Sequence, residues 1–234
     1  MRACLLLAWS AAGIATPARA ADELPFKLTL GAYRFSQSGW GVDTNLRASG
    51  DWGTAWIGHF RAAGLDVAQT RLGWDHSFGS VVRVQPSIQY ASGGFVGGSV
   101  NVEAGQTWVL GAGLGRTNLR PYYNLNFDPN DAWTLMAAWR ADDGRSLTAS
   151  LIRDNRQNPD QRHFHLTWRQ PLAEGNRLTL DALLKRGLVD GQMITRAGFS
   201  VTHDWPRWFA RLAYDPKTNF TADDQWRVSI GVRF

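Results

Sequence analysis

Trp226-Arg227-Val228-Ser229-Ile230-Gly231-Val232-Arg233-Phe234 closes the sequence with strict alternation. Successive side chains of an extended strand point to opposite sides, so Trp226, Val228, Ile230, Val232 and Phe234 share one face. Arg227, Ser229, Gly231 and Arg233 share the other. One face suits an apolar medium and the other suits water. The period is two residues, which is the signature of a strand with two unlike sides.

The same period recurs upstream. Trp208, Ala210, Leu212 and Tyr214 oppose Phe209, Arg211 and Ala213; Leu178, Leu180, Ala182 and Leu184 oppose Thr179, Asp181, Leu183 and Lys185. Phe164, Leu166 and Trp168 oppose His163, His165, Thr167 and Arg169. Trp133, Leu135, Ala137 and Trp139 oppose Thr134, Met136, Ala138 and Arg140, and Leu119 to Phe127 alternates likewise. Turn chemistry separates the runs, as at Asp128-Pro129-Asn130-Asp131, Asp142-Asp143-Gly144, Glu174-Gly175-Asn176, Asp190-Gly191 and Asp204-Trp205-Pro206. Strands are predicted to start near 107, 119, 132, 146, 163, 177, 193, 206 and 225. Earlier ones are predicted at 26–35, 41–48, 54–62, 66–75, 81–90 and 95–102.

Residues 1–20 read as a secretory signal peptide: Arg2, an apolar stretch from Ala3 to Thr16, then Pro17 and an Ala18-Arg19-Ala20 cleavage site. The apolar stretch is too short to span a bilayer comfortably. The domain expectation is therefore a signal peptide at 1–20 and one barrel at 21–234. The sole cysteine, Cys4, falls in the leader, so the mature chain offers no disulfide or thiolate metal site. Without Arg2 and Arg19 the balance is 23 basic to 20 acidic side chains, too mild to define a partner. No later run reaches eighteen apolar residues, so no transmembrane helix is expected.

An exported all-β chain is either a soluble sandwich or a membrane barrel. The barrel is favoured by Trp56, Trp74, Trp108, Trp133, Trp139, Trp168, Trp208 and Trp226, which fall near strand ends on the apolar faces. Indole rings, apolar with one polar handle, collect in girdles at the membrane–water boundary. The closing strand Trp226, Val228, Ile230, Val232, Phe234 resembles the C-terminal targeting strand of bacterial outer-membrane proteins. That resemblance implies recognition by the barrel-assembly machinery and a location in the outer membrane, among its lipid and lipopolysaccharide. A closed sheet satisfies every backbone group in hydrocarbon. The expected fold is thus all-β: a closed antiparallel transmembrane β-barrel of a Gram-negative envelope. Single-chain bacterial barrels have even strand numbers, so at least one of the early candidates, between 26 and 102, is expected to be wrong. The short 41–48 and the Gly-rich 95–102 are the weakest. About 14 strands are expected, with 12 as the alternative.

If Phe234 and Trp226 face lipid, Arg227 and Arg233 face the lumen. Extending that register places Arg47, Arg71, Arg83, Arg120, Arg140, Arg169, Lys185, Arg196, Arg211, Arg227 and Arg233 inside, against three inward acids, Asp43, Asp66 and Asp181. Most other acids fall in turns. An unpaired buried charge is costly, so this excess fits a water-filled lumen better than a packed one. Inward Gly111, Gly113, Gly115, Gly198 and Gly231 are expected to leave the wall bare. Such a lining attracts anions. In size and lumen charge the chain is similar to small monomeric porins for acidic oligosaccharides. That resemblance implies a passive, anion-preferring channel for anionic solutes or acidic saccharides.

Two other functions are kept open. One is a non-conducting structural or assembly barrel, associated with exopolysaccharide export. The other is a lipid-modifying outer-membrane hydrolase, which needs a serine within reach of a histidine. By parity His163 and His165 point inward, away from lipid, and His76-Ser77 falls in a turn. No enzyme, catalytic residue, cofactor, metal or nucleic acid is expected. His163 and His165 share a face but lack an evident third ligand, and Arg169 would repel a cation. The oxygen-rich runs Asp128 to Asp131 and Asp154 to Asp160 suit calcium or solvated loops equally. The Gly111 to Gly115 run lies in a strand pattern, without the helix a phosphate loop requires.

Overall fold

The computed structural model describes residues 24–234; the expected leader, with Arg2, Cys4 and Ala18-Arg19-Ala20, lies outside the described residues. Fourteen strands close on themselves. They are β1 (Phe26–Phe35), β2 (Gly39–Gly50), β3 (Gly53–Ala62), β4 (Val67–Asp75), β5 (Val82–Ala91), β6 (Phe95–Gly105) and β7 (Trp108–Thr117). The second half is β8 (Ala132–Arg140), β9 (Ser146–Asp154), β10 (Arg162–Pro171), β11 (Arg177–Val189), β12 (Gln192–Asp204), β13 (Trp208–Asp215) and β14 (Gln225–Arg233). Each pairs antiparallel with its chain neighbours, and β14 seals the sheet against β1 from Lys27↔Arg233 to Phe35↔Gln225. No helix among the described residues is long and apolar enough to cross a membrane; the strands are the crossing elements.

The two ends of the barrel differ. At the end where β1 starts and β14 finishes, turns as short as 51–52 and 106–107 join the strands. The opposite end carries the longer connections, 118–131, 155–161 and 216–224. In outer-membrane barrels short turns are periplasmic and long loops extracellular, and the ends are called the turn end and the loop end below.

The surplus candidate is not an early one, as expected, but 119–127: all six early candidates are strands. Both weak candidates are real strands, β2 and β6, whereas 119–127 belongs to the segment 118–131 that folds into the lumen. Its alternation is in the sequence only: Leu119 to Pro121 are exposed, Leu119 has a left-handed backbone, and Tyr122, Asn124 and Leu125 are buried together. It is not a strand because side chains, not a neighbouring ladder, satisfy its backbone. Gln69 accepts from Tyr123 N–H (2.7 Å) and donates to Tyr123 C=O (2.9 Å). Asn219 donates to the Asn124 carbonyl, Arg227 to that of Leu125, and Asn126 N–H to the Asn124 side chain. Buried backbone groups need partners, and here they find them across the lumen.

The outer face is apolar around the whole circumference. Leu30, Ile57, Leu72, Leu110, Leu135, Leu166, Leu212 and Ile230 are all exposed. A continuous band of this kind is far larger than a soluble monomer tolerates, and a bilayer removes it from water. Trp74, Trp108, Trp139, Trp168 and Trp208 lie on this face towards the turn end, and Trp133 and Trp226 towards the loop end. Trp40, Trp52 and Trp205 extend the aromatic supply of the two rims.

Trp56 corrects the expectation: its register partners Arg47 and Gly73 face inwards, and its ring lines the lumen. The cause is a local reversal of polarity in β3. Its inner face carries Trp56, Phe60 and Ala62, and its outer face ends on exposed His59 and Arg61.

Because Ile230 sits mid-strand between Leu30 and Ala210 on the lipid face, Ile230→Arg is expected to destabilise the folded barrel by about 2–4 kcal/mol. The urea midpoint of the barrel in lipid vesicles measures this. Equal midpoints for wild type and variant would place that face away from hydrocarbon.

Candidate functional site

The inserted segment divides the lumen. On the loop-end side it helps form a small apolar core, in which Leu125 and Tyr123 pack on Tyr33, Phe35, Phe60 and Ala62. Tyr123 stacks on Phe60 at 5.3 Å between ring centres, and Tyr122 on Phe95 at 4.3 Å. These aromatic contacts tie the segment to β1, β3 and β6.

The far end of the segment is fastened to β10. His163 Nδ1 donates to Asp128 Oδ1 at 2.8 Å, and His165 Nε2 donates to the same oxygen at 2.7 Å. His165 Nδ1 donates to Asp181 Oδ1 on β11 (2.9 Å), and Thr167 donates to the other Asp181 oxygen (2.6 Å). The Asp128 carboxyl is held well below the usual carboxylate range: burial pushes it up, but the charge of His165 and the hydrogen bonds of both histidines outweigh that. Asp128, His163 and His165 also bring three ligand-type atoms within 4.8 Å. Those atoms are engaged with one another, and the trio acts here as a latch between segment and wall.

Asp131 and Asn130 complete the seating. Asp131 accepts from Thr117 N–H and Oγ (2.6 Å for the latter) and from Arg156. The oxygen-rich run 128–131 is therefore buried structure and not a solvated loop. Gly115 faces the Asn130 carbonyl so closely that a Cβ would collide with it. The bare wall expected from the inward glycines is thus occupied: by Asn130 at Gly115, by Asn101 at Gly113 and by the Phe209 ring at Gly231.

Beneath the segment, towards the turn end, lies a chamber of about 470 Å³. Eight lysine and arginine side chains line it, namely Lys27, Arg47, Arg71, Arg169, Arg177, Arg211, Arg227 and Arg233, with His165 beside them on the two aspartates it bridges. Five carboxylates face them: Asp43, Asp75, Asp128, Asp181 and Asp204. Arg71 pairs with Asp43 at 2.8 Å, and Arg177 and Arg233 share Asp204. Lys27, Arg47, Arg169, Arg211 and Arg227 have no carboxylate within 4 Å among the described residues. Arg211 is held by Thr202 Oγ, and Arg227 by the Leu125 carbonyl. Trp56, Phe127 and Phe209 add aromatic walls.

The eleven basic positions read from the sequence thus divide. Arg47, Arg71, Arg169, Arg211, Arg227 and Arg233 line the chamber. Arg83 and Arg140 face inwards elsewhere and both pair with Glu103. Lys185 is fully buried, bonded to Asp215 (2.7 Å) and the Lys217 carbonyl (2.9 Å), with the Phe220 ring beside it. Two expectations fail. Arg120 is exposed on the inserted segment, which is not a strand. Arg196 keeps the inward parity of its register partner Lys185 but lies outside the chamber, exposed where the β11–β12 hairpin rises past β13, whose ladder with β12 ends at Phe199↔Tyr214.

The inward acids were undercounted. Asp66 is exposed in a turn, whereas Asp75, Glu103, Asp154, Asp204 and Asp215 lie on inward positions near strand ends. Lys27 and Arg177 were missed for the same reason. Strict parity carried to the last residue of each strand finds them.

The fold and this chamber define the class: a porin-like outer-membrane β-barrel with an inserted segment. No protein-family model and no curated protein sequence matches the chain. Among solved structures, the chain is similar to the outer membrane protein Omp33 of Acinetobacter baumannii. The TM-score is 0.56 at 7% identity, over 91% of this chain and 99% of that one. The NanC porin (TM-score 0.46, 12% identity, 88% and 100% covered) and the KdgM porin (0.42, 11%, 88% and 99%) are similar at lower scores. At these identities it is the barrel that is shared.

Proposed function

We propose that this protein is a passive diffusion channel of the outer membrane, favouring small anionic solutes, with its bore set by the inserted segment 118–131. One observation carries the reading: the chamber holds eight lysines and arginines against five carboxylates, and five of the eight lack a carboxylate partner. Charges of one sign around a confined, low-dielectric passage raise the local concentration of the opposite ion. Trp56, Phe127 and Phe209 beside these cations suit sugar acids, whose rings stack on aromatic faces while their carboxylates meet arginine.

A second reading has an observation of its own. The segment packs from β1 and β3 across to β10, which favours a non-conducting barrel if the segment never moves. The histidines of β10 are bound to Asp128 and Asp181, and His76 stacks on Trp74 and meets Phe78 edge-on, which gives a hydrolase no support.

Swelling of proteoliposomes in isosmotic solutions of a neutral sugar, its uronic acid and its amino sugar separates these readings. A channel of this kind admits the uronate fastest and the amino sugar slowest. No swelling in any of them supports the non-conducting barrel.

A further inference from the structure

The outer face carries a second cationic feature, unrelated to the lumen. Arg162, the first residue of β10, lies directly opposite Arg153 of β9 on one side and Arg186 of β11 on the other. Three arginines therefore stand in one row across three adjacent strands, on the face opposite His163 and Lys185. Directly opposed residues in antiparallel strands are only about 5 Å apart, and like charges there destabilise the sheet. None of the three has a carboxylate within 4 Å among the described residues; Arg153 is bonded to the Pro159 carbonyl. The next outward row towards the membrane centre is Leu151, Phe164 and Leu184, directly paired with one another. Trp133 continues the arginine row on β8.

We infer that this row binds the phosphate of a phosphorylated glycolipid in the outer leaflet, its acyl chains lying on Leu151, Phe164 and Leu184. Guanidinium groups bind phosphate oxygens bidentately, and a shared anion removes the repulsion between opposed arginines. The position is at the loop end, where that leaflet lies. The apolar row beneath distinguishes an amphiphile from a free anion, which has no use for it. The inference rests on the outer-membrane location of the barrel.

The test uses wild-type protein and an Arg162→Gln/Arg186→Gln double variant, folded into phosphatidylcholine vesicles doped with lipid A or its dephosphorylated form. Retention of the doped lipid is read by mass spectrometry after detergent extraction. Wild type is expected to retain lipid A at least about tenfold more tightly than the double variant. Dephosphorylated lipid A should bind wild type no better than lipid A binds the variant. Equal retention by both proteins, or of both lipids, overturns the inference. Inorganic phosphate displacing lipid A at millimolar concentration also overturns it, by showing that the acyl row contributes nothing. Heat-modifiable gel mobility establishes that both proteins are folded and inserted. Failure of both to insert would fault the membrane location itself, a separate outcome.

Discussion

Replacing Asp128 by alanine is expected to free the inserted segment from β10 and raise single-channel conductance several-fold. The substitution leaves His163 and His165 facing each other without their shared acceptor. Breaking a buried charged pair by removing one partner costs about 3–5 kcal/mol. The barrel itself should survive, since its ladders close independently of residue 128. A cysteine at Leu125, buried in the apolar core, should be labelled slowly by a water-soluble thiol reagent in the otherwise wild-type protein. In the Asp128→Ala background it should be labelled quickly. The carboxyl is held below its ordinary value of 3.8. Its contribution is therefore complete above that value and is lost as pH falls through the depressed one. On the acid side the labelling rate, divided at each pH by that of a free thiol under the same conditions because only the thiolate reacts, should stay flat down to about pH 4 and rise only below it. Unchanged conductance and labelling in the variant would mean that the aromatic contacts alone hold the segment.

The second large effect is on selectivity. Arg47→Glu with Arg211→Glu turns eight lysines and arginines against five carboxylates into six against seven. Both arginines lack a carboxylate partner, so neither substitution orphans an acid. Chamber potentials of several kT change local ion concentrations by on the order of tenfold or more, and the chloride-to-potassium permeability ratio should fall by about that factor and invert. Arg83→Gln serves as the control. It is paired with Glu103 outside the chamber and should leave the ratio nearly unchanged.

Most of the barrel was legible because its rule is local. Alternation places each strand, and Phe234 sets the register from which inward and outward positions follow. What remained hidden depends on contacts between distant parts of the chain. The alternation of 119–127 is the same as that of a strand. Only its partners show otherwise, Gln69 fifty-four residues away and Arg227 a hundred and two. Trp56 was misassigned because the segment gives the lumen an apolar core, which reverses the usual polarity of β3 at Phe60 and Ala62. The latch was half visible. His163 and His165 shared a face, but their partner Asp128 read as turn chemistry, thirty-five residues from His163. The charge count erred where Asp75, Asp204 and Asp215 end their strands, since a terminal acid reads as a turn residue unless parity is carried to the strand's last position.

The zero-current potential of wild-type protein in a planar bilayer, under a KCl gradient, tests the central claim most directly. A measurable conductance with a potential of the sign set by chloride permeation is the predicted result. A potential set by potassium, or no conductance in wild type and in Asp128→Ala alike, would contradict it.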